Sequence, residues 1–487
     1  MANVLFGFWV LVNLLLFVHV FHEFILMLLA LRPHKIENNR ELKELPFVTI
    51  QLPLFNEKYV VKRLLEAVSK LDYPKDKLEI QILDDSTDET SDLIGDFLKE
   101  NEEGGYEFIH IQRDDRSGYK AGALAYGTER CRGEFIAIFD ADFVPDQKFL
   151  MQTIPHFQDA GVGVVQTRWL HINEGHSVLT RAQALMLNTH FSVEHLGRKN
   201  ANGFINFNGT AGVWRKECIL SSGGWQADTL TEDLDLSFRA QIKGWKFEYL
   251  FDVGSPAELP LTFDSYRTQQ FRWSKGAAEC LRKNIRSLWR SGAATSAKLV
   301  GTFHLLNSSV YLLAVLVLLL SPAVFYLTQA EEITLPYHAP LTMLGVSVLY
   351  LLMLVFFVGH WKSSANKVKA VLLFIPSVLI YFVMTTGISI YMVRGVIEGY
   401  RGKHSAFVRT PKFGSTVSLL RRIREGYDFK NEGRLLLLEV LGFCYGVFWV
   451  TVAIVELNPA CFLYGSILLM GFSLSLFFKY KTFSWQA

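Results

Sequence analysis

The chain has 487 residues, enough for about three units at the roughly 150 residues usual for a domain. Half of them are hydrophobic, which argues against an ordinary soluble enzyme, yet 20% are charged, so a sizeable part must meet water. With 49 Lys/Arg against 47 Asp/Glu the net charge is only +2, and the absence of a basic arm or nucleic-acid motif argues against a nucleic-acid partner.

Residues 4–31 form an apolar run long enough to cross the roughly 30 Å hydrocarbon layer. No basic residue precedes it and no small-residue cleavage site ends it, so a transmembrane helix is expected rather than a secretory signal. Arg32, Lys35 and Arg40 follow, which by the positive-inside rule puts the N-terminus outside and the next domain in the cytosol.

Within residues 33–300 the pattern changes. Strands are expected at 47–53, 78–84, 107–112, 134–140 and 162–169, with helical patterns between them. That alternation predicts an α/β domain around a mostly parallel sheet, in which ligands sit beyond the carboxyl ends of the strands. Asp84 and Asp85 end one strand there, and Asp140 and Asp142 end another.

Such acids suit transfer from a sugar nucleotide, which needs a base for the acceptor hydroxyl, a cation for the departing diphosphate and contacts to hold the nucleotide. Mg2+ or Mn2+ wants oxygen ligands, and one or two carboxylates plus phosphate oxygens suffice. Asp140-Ala141-Asp142 fits that pattern, although a solvated turn has the same composition. Asp84-Asp85-Ser86-Thr87-Asp88 equally suits the start of a helix. Thr231 is a candidate N-cap of the following helical pattern, and Asp233 is a candidate general base. Arg113 and Lys120, set among small residues, suit phosphate contact or a solvated basic loop. Gln269, Arg272 and Trp273 offer an amide, a cation for the diphosphate and an indole for a sugar ring, while an interfacial amphipathic helix would carry the same residues.

Five more apolar runs lie near 302–328, 341–361, 370–393, 435–455 and 457–478. The acids of the loop 329–340 suit the outer side and the three lysines of 362–369 the inner side. If 370–393 spanned, the segment 394–434, with ten Lys/Arg against four Asp/Glu, would lie outside, so an in-plane or re-entrant helix is expected there. Glu439 is expected to snorkel or to face the protein interior. The five cysteines, Cys131, Cys218, Cys280, Cys444 and Cys461, form no CxxC pair and are expected to be buried free thiols.

Taken in order, DDS (84–86), KAGAL (120–124), DAD (140–142), TED (231–233) and QQFRW (269–273) resemble the motif set of the family 2 glycosyltransferases of the cellulose-synthase superfamily. The Phe207-Asn208-Gly209-Thr210 segment and QQFRWSKG resemble its plant mannan and glucan synthase-like branches most. The resemblance implies an α/β GT-A (Rossmann-like) cytosolic domain inserted into an α-helical transmembrane domain, and an inverting single displacement. It places Asp84, Asp85 and Lys120 on the nucleotide-sugar donor, Asp140 and Asp142 on metal and diphosphate, and Asp233, with Glu232 beside it, at the base position. Gln269, Arg272 and Trp273 would line the diphosphate and acceptor site, with Asn208, Gly209 and Thr210 on the acceptor. The family's cysteine is missing from that last segment. Phe407-Val408-Arg409-Thr410-Pro411-Lys412 resembles the family's FxVTxK gating loop, which would bring Thr410 and Lys412 onto the donor; here Arg409 stands for the valine.

The implied boundaries are a transmembrane helix (1–32), the glycosyltransferase domain (33–262), interfacial helices carrying QxxRW (263–300), two transmembrane helices (301–361), an interfacial helix with the gating-like loop (362–434) and two further transmembrane helices (435–487). The expected partners are a nucleotide-sugar donor, a growing β-linked glycan, the lipid bilayer of the plasma membrane or Golgi, and accessory subunits of unknown kind. UDP-glucose and GDP-mannose present the same diphosphate to these residues. A single transfer to ceramide, diacylglycerol or a polyprenyl phosphate is the alternative outcome. A transporter or scaffold that merely bound the nucleotide sugar would not need an acid at every motif position.

Overall fold

The computed structural model describes residues 2–33, 42, 44–102, 105–330, 338–414 and 433–486. Lys35, Arg40, residues 331–337 of the acidic loop and residues 415–432 of the basic segment lie outside them.

Among the described residues seven strands form one sheet: β1 (Val48–Leu54), β2 (Leu78–Asp84), β3 (Glu107–Gln112), β4 (Phe135–Ile138), β5 (Val162–His171), β6 (Gly212–Arg215) and β7 (Lys246–Ala257), in the order β3-β2-β1-β4-β6-β5-β7. β1 to β4 run parallel, as do β5 and β7, whereas β6 is antiparallel to both its neighbours. The first five strands are those the sequence predicts. β6 is only four residues long and buried throughout, so it carries no alternation to read. β7 contains Gly254 and Pro256, and its pairing with β5 shifts register on the way. β1 and β2 are buried on both faces because helices cover the sheet from each side.

Register sets up one edge of the sheet for chemistry. Leu54 pairs with Asp84 and Asp84 with Gln112, so Phe55, Asp85 and Arg113 leave their strands side by side. β6 enters from the opposite direction and pairs Gly212 with Ile138. The residues just before β6, Asn208 to Ala211, therefore lie against the turn that follows β4.

Among the described residues six helices are long and apolar enough to cross a membrane: Ala2–Ala30, Ser309–Gln329, Met343–Ser363, Lys367–Arg401, Leu435–Val455 and Pro459–Tyr480. The chain is thus a multi-pass membrane protein. Large apolar side chains such as Phe8, Leu11, Leu372, Leu437 and Phe462 point outward, where lipid suits them. Glu439 takes the interior option: it is fully buried and accepts hydrogen bonds from Ser475 at 2.8 Å and Lys479 at 2.6 Å. The cysteines are free; four are buried, whereas Cys444 is exposed.

The helix Lys367–Arg401 is unbroken over 35 residues, about 52 Å at 1.5 Å per residue. It starts just after Lys362, whose Nζ donates to the carbonyl of Ala30 at 2.6 Å, and Ala30 packs in the core of the sheet domain. Just beyond its other end, the Lys403 carbonyl accepts from Lys275 on the long helix Phe263–Arg290. Both ends thus lie beside the sheet domain. Gly399 permits the close packing between these helices, since a Cβ there would sit 2.6 Å from the Lys275 carbonyl oxygen.

Candidate active site

A cavity of about 680 Å³ opens at the carboxyl edge of the sheet and continues among the helices. Asp85, Lys120, Asp140, Asp142, Asn208, Gly209, Glu232, Asp233, Gln269, Arg272, Trp273, Thr410 and Lys412 all line it. Residues scattered over more than 300 positions of sequence thus meet at one place. Asp84 and Thr210 do not reach the cavity wall. Asp84 is buried and accepts from Ser86 N at 2.9 Å and Ser91 Oγ at 2.6 Å, with His110 Nε2 2.9 Å away. Burial disfavours its charge, but these hydrogen bonds outweigh that and hold its carboxyl well below the usual carboxylate range. Thr210 is fully buried, and its hydroxyl accepts from the Asp140 amide at 2.9 Å, so it supports the acidic turn from behind.

At the strand ends the acids of the wall face cations. Arg113 bridges Asp85 with contacts of 2.9 and 2.5 Å. Lys120 Nζ lies 2.5 Å from Asp140 Oδ1 and donates to the Gly209 carbonyl at 2.8 Å. Burial lowers the Lys120 pKa, yet the surrounding Asp140, Glu232 and Asp233 carboxylates raise it on balance. Lys412 donates to Asp142 Oδ2 at 2.7 Å. The Lys412 loop also lays Arg409 3.1 Å from Glu57 and Phe407 beneath the Arg272 guanidinium, 4.4 Å from its centre. Thr410 Oγ1 is buried with no hydrogen-bond partner among the described residues.

The helix Glu232–Ile242 begins at the TED motif, but Thr231 makes no side-chain cap; its hydroxyl faces Cys280 instead. Asp233 stands in the cavity wall. Burial raises its pKa to about 7, with the neighbouring Glu232 carboxylate adding to the effect and Lys120 opposing it. Burial likewise raises Glu232. Gly209, at φ +79°, packs so close to this acid that a Cβ would lie 3.0 Å from Asp233 Oδ2, which reserves the position for glycine. Gln269, Arg272 and Trp273 share one face of their helix through i, i+3, i+4 spacing. Trp273 packs on Ala184, Leu187 and Leu259.

Two carboxylates at the turn after β4 are a fitting donor set for a hard divalent cation. Among the described residues no cluster of three or more His, Cys, Asp or Glu forms a cage. Magnesium-type ions are commonly held by one or two carboxylates, with phosphate oxygens and water completing the shell. Asp140 and Asp142 each spend one oxygen on a lysine and keep the other.

Sequence reasoning missed several residues of the wall. Glu57 follows β1, so the strand-end rule that found the aspartates could have found it; burial pushes its carboxyl up to about 8 despite the pull of Arg409. Glu258 follows β7 and accepts from Arg63 at 2.6 Å. His190 and Glu194 also line the cavity, from a π-helical turn that has no signature in the sequence.

A family model described as glycosyltransferase like family 2 matches residues 46–276. A probable glucomannan 4-beta-mannosyltransferase 4 of Oryza sativa subsp. japonica is 43% identical over 277 residues, covering 55% of this chain and 49% of that protein. The glucomannan 4-beta-mannosyltransferase 1 of Cyamopsis tetragonoloba is 43% identical over 253 residues, covering 50% and 48%. The chain spans about half the length of the curated relatives it matches. Among solved structures, a mannosyltransferase from Pyrobaculum calidifontis in complex with GDP-Man and Mn2+ superposes with a TM-score of 0.55, covering 83% of this chain and all of that one. At 16% identity this likeness speaks for the fold alone. The sheet with its acidic edge, the family model and these relatives agree: over residues 46–276 the chain is similar to glycosyltransferases of family 2.

Proposed function

We propose that this protein transfers a hexose, mannose foremost, from a nucleotide-diphosphate sugar to the end of a β-1,4-linked polysaccharide, inverts the anomeric centre, and guides the growing chain into its own helices. One observation carries the reading. The cavity that holds the paired acids and cations extends among the membrane helices, where Asn13, His19, Glu23, Asn307 and Ser308 set hydrogen-bonding groups into a largely apolar wall. A lipid acceptor would have no use for these groups; a sugar chain needs hydrogen-bonding partners along its path. The names of the plant relatives support mannose and the 4-β linkage.

In this mechanism Asp233 accepts the proton of the acceptor hydroxyl as that oxygen attacks the anomeric carbon. Its raised pKa suits a base working near neutrality. Arg272 and Lys412 stand ready to neutralise the departing diphosphate, and Gln269 donates to it. Asp85 and its Arg113 partner hold the nucleotide end, with Asp84 fixing their loop. Asp140 and Asp142 would hold Mg2+ or Mn2+, which supplies positive charge to the diphosphate when bound. Trp273 offers the acceptor sugar a stacking face.

The helix Lys367–Arg401 lies in the plane of the cytosolic interface in this reading, despite a length that would span. Its two ends beside the sheet domain support that placement, as does the Arg409–Lys412 loop that follows it into the site. The sheet domain then faces the cytosol, at the plasma membrane or the Golgi.

Radiolabelled GDP-mannose and UDP-glucose offered separately to the purified protein in nanodiscs, with Mg2+ or Mn2+, test the proposal. A long product cut by β-mannanase is expected from GDP-mannose. A single labelled lipid and no polymer would overturn it in favour of a glycolipid-forming enzyme.

A further inference from the structure

The helix Val178–Thr189 does not stop at the cavity but passes through a π-helical turn, His190–His195, into Leu196–Asn200. Turns of this kind are frequent at functional sites. His190 Nδ1 lies 3.1 Å from Glu194 Oε2, and Arg198 Nη2 donates to that same oxygen at 3.3 Å. On its other side, His190 Nε2 lies 3.1 Å from Asn208 Oδ1. A second donor reaches that oxygen: Asn206 Nδ2, at 2.9 Å. The Asn208 backbone N–H is tied to Gln166 Oε1 at 2.9 Å.

These contacts fix which way the Asn208 amide faces. Its oxygen accepts from Asn206 Nδ2 and lies beside His190 Nε2, while its Nδ2 is buried with no hydrogen-bond partner among the described residues and Asn208 lines the cavity. A flipped amide would aim its nitrogen at Asn206 Nδ2, donor against donor. The next residue, Gly209, is the one packed against Asp233. The unpartnered donor thus stands one residue from the segment that touches the proposed base.

We propose that His190 and Glu194 are positioning residues: they lock Asn208 so that its amide nitrogen donates to an oxygen of the acceptor sugar and presents the neighbouring hydroxyl to Asp233. This rests on the reading of the site as a polysaccharide-elongating one. A chain whose only task was to staple the π turn would bond Glu194 to Arg198 and leave His190 out of the cavity wall. Here the relay Arg198–Glu194–His190–Asn208 ends on a free donor.

The test uses the full chain in nanodiscs, with β-1,4-mannohexaose as the acceptor probe and GDP-mannose as the donor. Dissociation constants for each are measured separately, alongside the ratio of transfer to donor hydrolysis. His190→Ala is expected to weaken mannohexaose binding about tenfold, as for loss of one well-held hydrogen bond, and to lower the transfer-to-hydrolysis ratio. Donor affinity should stay unchanged. His190→Gln, whose amide can still donate to Asn208, should recover most of the loss, and adding His190→Ala to Asn208→Ala should cost nothing more. Glu194→Gln keeps the shape of the turn and should act in the same direction by about threefold, which serves if the alanine variant fails to fold. An unchanged acceptor affinity, or donor and acceptor affinities falling in parallel, would overturn the proposal. A wild-type chain that binds donor but no β-linked oligosaccharide would instead remove the polysaccharide reading, a different and separable failure.

Discussion

The two halves of the cavity differ in how many of their charged groups are paired. On the sheet side four acids are each met by a cation: Asp85 by Arg113, Asp140 by Lys120, Asp142 by Lys412 and Glu57 by Arg409. On the helical side buried polar atoms are left without a partner among the described residues, among them Asn13 Oδ1, Glu23 Oε2 and Ser308 Oγ. Burying a charge is tolerated when it is paired, and a ligand that brings both phosphate and metal can exchange those pairs one for one. An orphaned hydroxyl or amide costs free energy until something with matching donors and acceptors arrives. In the proposed reaction the first half would trade ionic partners and the second would receive hydroxyl groups.

That contrast predicts where substitutions should hurt. Asp233→Asn removes the proposed base and should lower kcat by about a thousandfold, within the range for general-base catalysis, while donor affinity changes little. The same carboxyl makes a pH prediction. A base must be ionised, so kcat/KM should rise with pH through about 7 and then level. For stability the sign is opposite: a carboxyl whose folded pKa is raised contributes fully below its unfolded value, about 3.9, and loses that contribution as pH rises through about 7. Asp233→Asn should therefore unfold at a higher temperature than wild type at pH 8. A lower one would place a structural anion at this position.

Arg272→Ala takes a fixed cation from the diphosphate and should cost about a hundredfold in kcat. If it raised only acceptor KM, Arg272 would belong to the other half of the cavity. Lys412→Met strips Asp142 of its partner and should raise donor KM about tenfold, with acceptor binding intact, measured by titrating each substrate at saturation of the other. The smallest effect is expected among the helices. Glu23→Gln should change turnover by about threefold or less while shortening the product, as read by gel filtration of labelled polymer. A full loss of transfer with unchanged product length would dissolve the distinction between the halves.

Much of the sheet side was legible because local chemistry and strand periodicity coincide there. Asp85, Asp140 and Asp142 stand at strand ends that alternating or apolar runs announce, and QxxRW carries helical spacing within five residues. β6 was not legible: four buried residues give no period, and its antiparallel direction depends on which neighbours it finds. The same holds for the π turn at His190, which differs from an ordinary helix by one hydrogen-bond step that no residue type dictates.

The sequence by itself determined the division into an apolar helical part and a charged α/β part, since burial free energy follows composition and period. It also determined the motif residues, because metal, phosphate and base chemistry restrict the side chains that can serve. Only the tertiary structure decided that Asp84 and Thr210 turn away from the cavity, that both ends of Lys367–Arg401 return to the sheet domain, and that Asn208 is held by His190. Those outcomes hang on contacts between residues far apart in the chain, whose free energy depends on strand direction and helix packing rather than on the identity of any one side chain.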